Sequence, residues 1–253
     1  MGKLGPTLHL KRLNAPSLWR IPRKTVKFAI KTTPGPHKKG LYLPLGMIIR
    51  DMLGYAKTLK EVKYILTSRM VLVNGKPRVN YRFPVGLMDV IEIPKTKEIY
   101  RVLVNTKGFI LHPISKKEAA SRLCMIMNKT TVKGGHIQLN LSDGSNILIK
   151  VKDPKKPVED KYQTKDALLI SNADNKIKDH VPLKEGVYIL IFDGKNMGYT
   201  GVVKNIERRF GPFASVVTIS TEKHGEIKTA LEYVFPIGVE KPLISLPEVA
   251  VNE

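Results

Sequence analysis

Six histidines (His9, His37, His112, His136, His180 and His224) and one cysteine, Cys124, are the residues of this sequence best suited to metal or nucleophilic chemistry. They are scattered singly, with neither zinc-ligand nor HExxH-like spacing, so no metal site and no cofactor are expected. A single cysteine cannot close an intramolecular disulfide, which fits a reducing compartment. Spacing gives Cys124 no partner that would make it a nucleophile. Gly194-Lys195 runs into Asn196 rather than Ser or Thr, which disfavours a phosphate loop for nucleotide hydrolysis. No catalytic residue and no small-molecule substrate are expected.

The chemistry that remains is cationic. The 253 residues carry 43 Lys+Arg against 22 Asp+Glu, a formal charge of +21, which needs an anionic partner. Hydrophobic residues at 42% are enough for packed cores, so the chain folds, and several small modules fit better than one large enzyme core. Half of the excess charge sits in residues 1–50, which hold eleven basic side chains and no acid. Trp19, Phe28, His9 and His37 lie among those cations, and prolines at 6, 16, 22, 34, 36 and 44 break helices. Either a flexible tail or an extended arm that folds onto RNA has this composition. Aromatic faces stack on unpaired bases while Lys and Arg neutralise phosphates. The candidate contacts are Lys11, Arg12, Trp19, Arg20, Arg23, Lys24, His37, Lys38 and Lys39. A membrane surface is the competing anion, but no apolar run is long enough to span a bilayer and the prolines deny an interfacial helix its continuous face. A soluble, non-secreted protein is expected.

Stepwise along the chain, the elements that position these residues are short. Leu45, Ile48, Ile49, Met52 and Leu53 follow helical spacing after Pro44. Thr58 and Glu61 form a capping-box signature before a second helix with Leu59, Val62, Ile65 and Leu66 inward. Asn74-Gly75 between two short strands predicts a tight hairpin, and residues 88–93 add a strand. The cations of this part are Arg50, Lys60, Lys63, Arg69, Lys76, Arg78 and Arg82, arranged to track a phosphate backbone or simply to solvate a face.

The run from Arg69 through Val73-Asn74-Gly75-Lys76, closed by Gly86 to Ile91, resembles the S4-type RNA-binding domain. With Gly5-Pro6, His9 to Pro16, Trp19 and Gly35-Pro36-His37-Lys38, the chain resembles the S4e family of archaeal and eukaryotic small-subunit ribosomal proteins over most of its length. The asparagine of Val73-Asn74-Gly75 and the short C-terminal tail point to an archaeal member.

Beyond this module, residues 100–104, 109–111, 136–141 and 147–151 read as strands, with a hairpin at Asp143-Gly144. Ser115 to Asn128 reads as a helix capped by Ser115, with Ala119, Leu123, Ile126 and Met127 inward and Cys124 in the core. Residues 152–180 read as a connection in which Ala167 to Ser171 is linker or strand. Strands at 186–192 and 198–203 flank Asp193-Gly194, with further strands at 216–220 and 230–235. Gly186, Gly194, Gly198, Gly201 and Val203 resemble the KOW motif of five-stranded SH3-like barrels. Lys195, Arg208 and Arg209 are candidate RNA contacts there, while Phe210 and Phe213 suit either contact or loop packing.

The expected fold is α+β and β-rich in several modules: a basic extended arm (1–42), a small two-helix-plus-sheet RNA-binding domain (43–98), a β-rich central domain (99–175), a KOW/SH3-like β-barrel (176–241) and a tail (242–253). The resemblance implies a non-enzymatic, cytoplasmic constituent of the small ribosomal subunit. Its partners would be small-subunit rRNA, chiefly the five-prime domain, and neighbouring small-subunit proteins. The alternatives are an RNA-modifying enzyme, pseudouridine synthase or methyltransferase, carrying an S4-type domain, and a transient KOW-type transcription or translation factor.

Overall fold

Tight turns, more than long periodic runs, set this architecture. The computed structural model describes residues 7, 9–38, 40–153, 158–211, 213–221, 225–239 and 241–247. Lys39, the Gly5-Pro6 pair, residues 154–157 of the expected connection and residues 248–253 of the expected tail lie outside them. The chain is β-rich and divides into two compact units, Met1–Leu103 with Lys107–Pro113, and Val104–Thr106 with Ile114–Glu253.

In the first unit, Leu10–Lys11 (β1) pairs antiparallel with Phe28–Ala29 (β2). Tyr42–Pro44 (β3) leads into Leu45–Met47 (α1), which continues as a π-helical turn over Ile48–Met52. Leu45, Ile48 and Ile49 of the expected stripe are buried, Met52 and Leu53 are half-buried, and Met47, outside the stripe, is buried as well. Leu59–Thr67 (α2) begins in a complete capping box, with Thr58 accepting from the Glu61 N–H and Glu61 accepting from the Thr58 N–H. Leu72–Val73 (β4) and Lys76–Pro77 (β5) form the expected hairpin, and Asn74 and Gly75 take the positive φ values (51° and 75°) that such a two-residue turn demands. Pro84–Gly86 (β6) pairs with β3. Val90–Ile93 (β7), Glu98–Asn105 (β8) and Gly108–Pro113 (β9) complete a sheet of order β5-β4-β7-β8-β9. The strands at 98–113 therefore extend this sheet instead of opening the central region. The four residues between Ile93 and Glu98 allow only a hairpin return onto β7.

The basic segment before residue 40 is not the coreless arm its composition predicts. Ala15, Leu18, Trp19 and Ile30 are buried. Trp19 is only 2% exposed and its indole N–H donates to the Tyr42 carbonyl at 2.6 Å. The His37 ring lies 2.6 Å from Asp89 Oδ2, and Asp89 also accepts from Asn74 Nδ2 (2.7 Å) and the Gly86 N–H (2.9 Å). Only glycine fits at position 86, since a Cβ there would stand 2.3 Å from His37 Nδ1. Proline-rich sequence hid this packing because buried groups without a period leave no pattern to detect.

In the second unit, the expected helix over Ser115 to Asn128 is corrected. Ser115 does cap a helix, accepting from the Glu118 N–H, but that helix ends after Lys116–Ala119 (α3). Ser121–Thr131 (β10) follows as the central strand of a sheet with Ile137–Leu141 (β11), Asn146–Ile149 (β12), Ala167–Ser171 (β13) and Ile177–Val181 (β14), in the order β12-β11-β10-β13-β14. Residues 121–126 are buried without alternation, and a continuous apolar run has no period that separates strand from helix. Cys124 is core, packed with Ile126, Leu139, Leu168 and Ile170, and Met127 is exposed. Ala167 to Ser171 is a strand, and β14, which lies within the expected connection, pairs with it.

Arg122 shows how this sheet tolerates a buried charge. Its guanidinium donates to Asp143 (2.8 Å), Asn172 (3.0 Å) and Asn175 (3.0 Å), tying the turn between β11 and β12 to the turn between β13 and β14. The last sheet comprises Tyr188–Ile191 (β15), Thr200–Glu207 (β16), Val216–Thr221 (β17), Gly225–Ala230 (β18) and Val234–Gly238 (β19), in the order β18-β17-β16-β15-β19. A 3₁₀ turn at Leu231–Tyr233 interrupts the strand expected over 230–235.

Burial alone would raise the Asp143 pKa, but hydrogen bonds from Ser145 and the charge of Arg122 outweigh it and hold the carboxyl below its ordinary value. A depressed carboxylate stabilises fully above its unfolded pKa and loses that contribution as pH falls through the folded value. Urea unfolding across an acid pH series should show stability falling in that window. Asp143→Asn should flatten this acid dependence and cost about 3 kcal/mol near neutrality, because it strands the Arg122 charge.

Candidate nucleic-acid interface

Helix α2 sorts its residues by spacing. Val62 and Leu66 are fully buried, which turns Lys60, Lys63, Tyr64 and Thr67 outward. Tyr64 is 70% exposed beside those two lysines. Arg69 stands exposed at the helix exit with φ of 54°, and Lys76 is exposed on β5. Lys63 Nζ lies 5.2 Å and the Arg82 guanidinium 5.4 Å from the centre of the Tyr81 ring, so one aromatic side chain gathers cations from the helix and from the loop before β6. Arg82 Nε also donates to the Tyr81 hydroxyl at 2.9 Å. Arg78 stacks over Phe83 at 4.3 Å. Stacking of this kind fixes an Arg or Lys in place without cancelling its charge.

Ion pairing does cancel it at other positions. Arg50 makes a two-point contact with Asp51, at 2.9 Å through Nε and 2.9 Å through Nη2, and this hydrogen bonding raises its pKa. Arg50 therefore brings no net charge to the face, unlike Lys60, Lys63 and Arg69.

Within the first forty residues, four candidate contacts are committed to the fold. Trp19 is buried and has no ring face to offer a base. His37 faces Asp89 with its side chain 6% exposed. Arg12 is 5% exposed and donates through Nε to the Pro22 carbonyl. Arg23 donates to the carbonyls of Ala15 (2.6 Å) and Pro16 (2.7 Å). Buried backbone carbonyls must be satisfied, and in a segment rich in proline, which has no N–H, guanidinium groups take over that duty. Lys11, Arg20, Lys24 and Lys38 remain exposed.

In the second unit, Lys195, Arg208 and Arg209 are exposed, and Arg209 pairs with Glu207 at 2.7 Å. Phe213 packs on Tyr233, with ring centres 5.6 Å apart, while Phe210 is fully exposed. Its packing on Tyr233 leaves Phe213 56% exposed. The side chains that sequence reasoning missed are Tyr64, Tyr81 and Phe83. The adjacent strings Lys63-Tyr64 and Tyr81-Arg82-Phe83 were the available signal.

The ribosomal family S4e model matches residues 96–177, and the RS4NT (NUC023) domain model matches residues 4–40. The small ribosomal subunit protein eS4 of Desulfurococcus amylolyticus is 49% identical over 249 residues, covering 98% of this chain and 99% of the relative. The eS4 protein of Staphylothermus marinus is 51% identical over 250 residues, covering 98% and 99%. That of Methanocaldococcus jannaschii is 47% identical over 247 residues, covering 97% and 100%. Among solved structures, the 30S ribosomal protein S4e of Thermoplasma acidophilum is similar at a TM-score of 0.64 and 30% identity, covering 78% of this chain and 94% of that one.

Replacing Lys60, Lys63 and Arg69 together by Glu should weaken RNA binding and flatten its salt dependence. Each phosphate contact contributes about 0.7 to 0.9 to the slope of log affinity against log salt. Filter binding of small-subunit rRNA across a salt series measures both, and an unchanged slope would make this face a merely solvated one.

Proposed function

The chain belongs to the ribosomal S4e family, and from that premise we propose that it is a structural constituent of the small ribosomal subunit, without enzymatic activity. The observation that carries this reading is similarity over nearly the whole chain to proteins named for that subunit. Its mechanism is electrostatic. Exposed lysines and arginines on folded units neutralise phosphates and release counterions, so that RNA segments which repel one another are held together.

We assign the interface to the exposed cations Lys11, Arg20, Lys24 and Lys38 in the first segment, Lys60, Lys63, Arg69 and Lys76 in the S4-type module and Lys195 and Arg208 in the second unit, together with the half-buried, ring-stacked Arg78 and Arg82 and the Glu207-paired Arg209. Lys39 belongs to the same reading. The partners are small-subunit rRNA and adjoining small-subunit proteins, and the place is the cytoplasm, inside the assembled subunit. We read β3 to β7 with α1 and α2 as the S4-type RNA-binding domain, and β15 to β19 as a KOW-type SH3-like barrel. Support for the barrel comes from its five antiparallel strands and from Gly201 in β16. A Cβ at Gly201 would stand 2.4 Å from the Ser220 carbonyl oxygen on β17. Gly186, Gly194, Gly198 and the buried Val203 occupy the other motif positions.

A resident protein is separated from a visiting enzyme or factor by sedimentation. Small subunits of the source organism pelleted through high salt should retain the protein in a fixed ratio to rRNA. Release into the supernatant while resident proteins stay would favour a transient factor instead.

A further inference from the structure

A cavity of about 260 Å³ opens in the first unit. It is lined by His9, Phe28, Lys31, Arg50, Tyr81 and Arg82. Ala29, Ile30 and Leu59 supply apolar wall. Sequence positions from 9 to 82 thus meet at one concavity because β2, the middle of the π-helical turn, the start of α2 and the loop before β6 lie together.

Its chemistry is mixed in a particular way. Three aromatic rings sit among Lys31, Arg82 and Arg50, the last with its charge cancelled by Asp51, and none of the described lining residues is an acid. His9 meets Phe28 edge-on at 5.4 Å, and Lys27 lies 5.6 Å from the Phe28 ring centre, yet Phe28 remains 48% exposed. The cations keep donors in reserve. Lys31 spends one N–H on the Thr7 carbonyl, and Arg82 spends only Nε, on Tyr81, although a guanidinium has five N–H donors. A small inorganic anion has no use for three rings, and an apolar ligand would not tolerate the charges of Lys31 and Arg82. A nucleotide uses both, since its base stacks and its phosphate is neutralised. The volume is below the roughly 300 Å³ at which pockets for drug-sized ligands begin, which suits one base and not a run of them.

We propose that this cavity receives one unstacked nucleotide of the bound RNA, with the base against Phe28 and Tyr81 and the phosphate paired with Lys31 and Arg82. The proposal rests on the rRNA-binding reading above and adds to it a single-stranded nucleotide held by an aromatic pocket, beside the contacts that only track the backbone.

The test uses the full-length protein and small-subunit rRNA transcripts carrying thiouridine or thioguanosine. Irradiation of the wild-type complex should crosslink an unpaired nucleotide to Phe28, Tyr81 or His9. Phe28→Leu, which keeps an apolar side chain but removes the ring, should abolish that crosslink. It should also weaken rRNA affinity roughly five- to hundredfold with the salt slope unchanged, because stacking and not a phosphate contact is lost. Trp19 emission reports whether the variant is folded, and the wild-type crosslink decides the matter whatever the variant does. Wild-type protein that binds rRNA with no crosslink in this pocket would overturn the proposal and leave the rRNA-binding reading standing. Wild-type protein that does not bind rRNA at all would remove both.

Discussion

A buried carboxylate, Asp89, holds the most basic part of this chain to a folded surface. It is 2% exposed and gathers His37, Asn74 and the Gly86 N–H around its two oxygens. Each partner comes from a different piece of sequence: the segment before β3, the hairpin turn between β4 and β5, and the end of β6. Asn74 in turn accepts from the Val90 N–H at 2.8 Å, so the hairpin is tied to β7 by the same side chain. Eleven cations and no acid in residues 1–50 repel one another. Such a segment stays folded only if specific contacts offset that repulsion, and Asp89, the Trp19 indole and the Arg23 fork provide them.

The second unit uses the same device with the sign reversed. One of its buried charges is a cation, Arg122, satisfied by Asp143, Asn172 and Asn175 from two turns. Asp166 performs a similar duty nearby, accepting from Leu183 and Gln163 N–H groups while His180 lies 2.8 Å away. In both units buried polar groups fix turns, and among the described residues the lysines and arginines other than Arg12, Arg101 and Arg122 reach the surface. A cationic surface built this way is preorganised, so less ordering entropy is lost when RNA binds.

Much of the first unit was legible in the sequence because local rules govern it. The capping box at Thr58 and Glu61, the Asn74-Gly75 turn and the spacing of Leu45, Ile48 and Ile49 are each readable within a few residues. The helix expected to reach Asn128 failed where local rules carry no information: β10 is covered on both faces, and its apolar run matches either period. The interface was legible as charge but not as geometry. Arg12, Trp19, Arg23 and His37 have the right residue types for RNA contact, yet proline-rich sequence gives no sign of which side chain turns inward. Arg50 could not be separated from Lys60 either, since pairing with Asp51 depends on side-chain geometry. Tyr81 was missed because its role comes from Lys63 and Arg82 meeting over one ring.

Hydrogen exchange of the RNA-free protein tests most directly whether the basic segment is held in place before RNA arrives. The amides of Arg12 and Leu45, which donate to the carbonyls of Lys27 and Phe83, report on the segment and on the module beneath it. Both should be protected in the wild type. Asp89→Ala should raise exchange at Arg12 by at least tenfold, as the contacts that hold the segment loosen. Exchange at the unstructured rate for Arg12 in the wild type, with Leu45 protected, would mean that the segment folds only on RNA and that the preorganised surface does not exist.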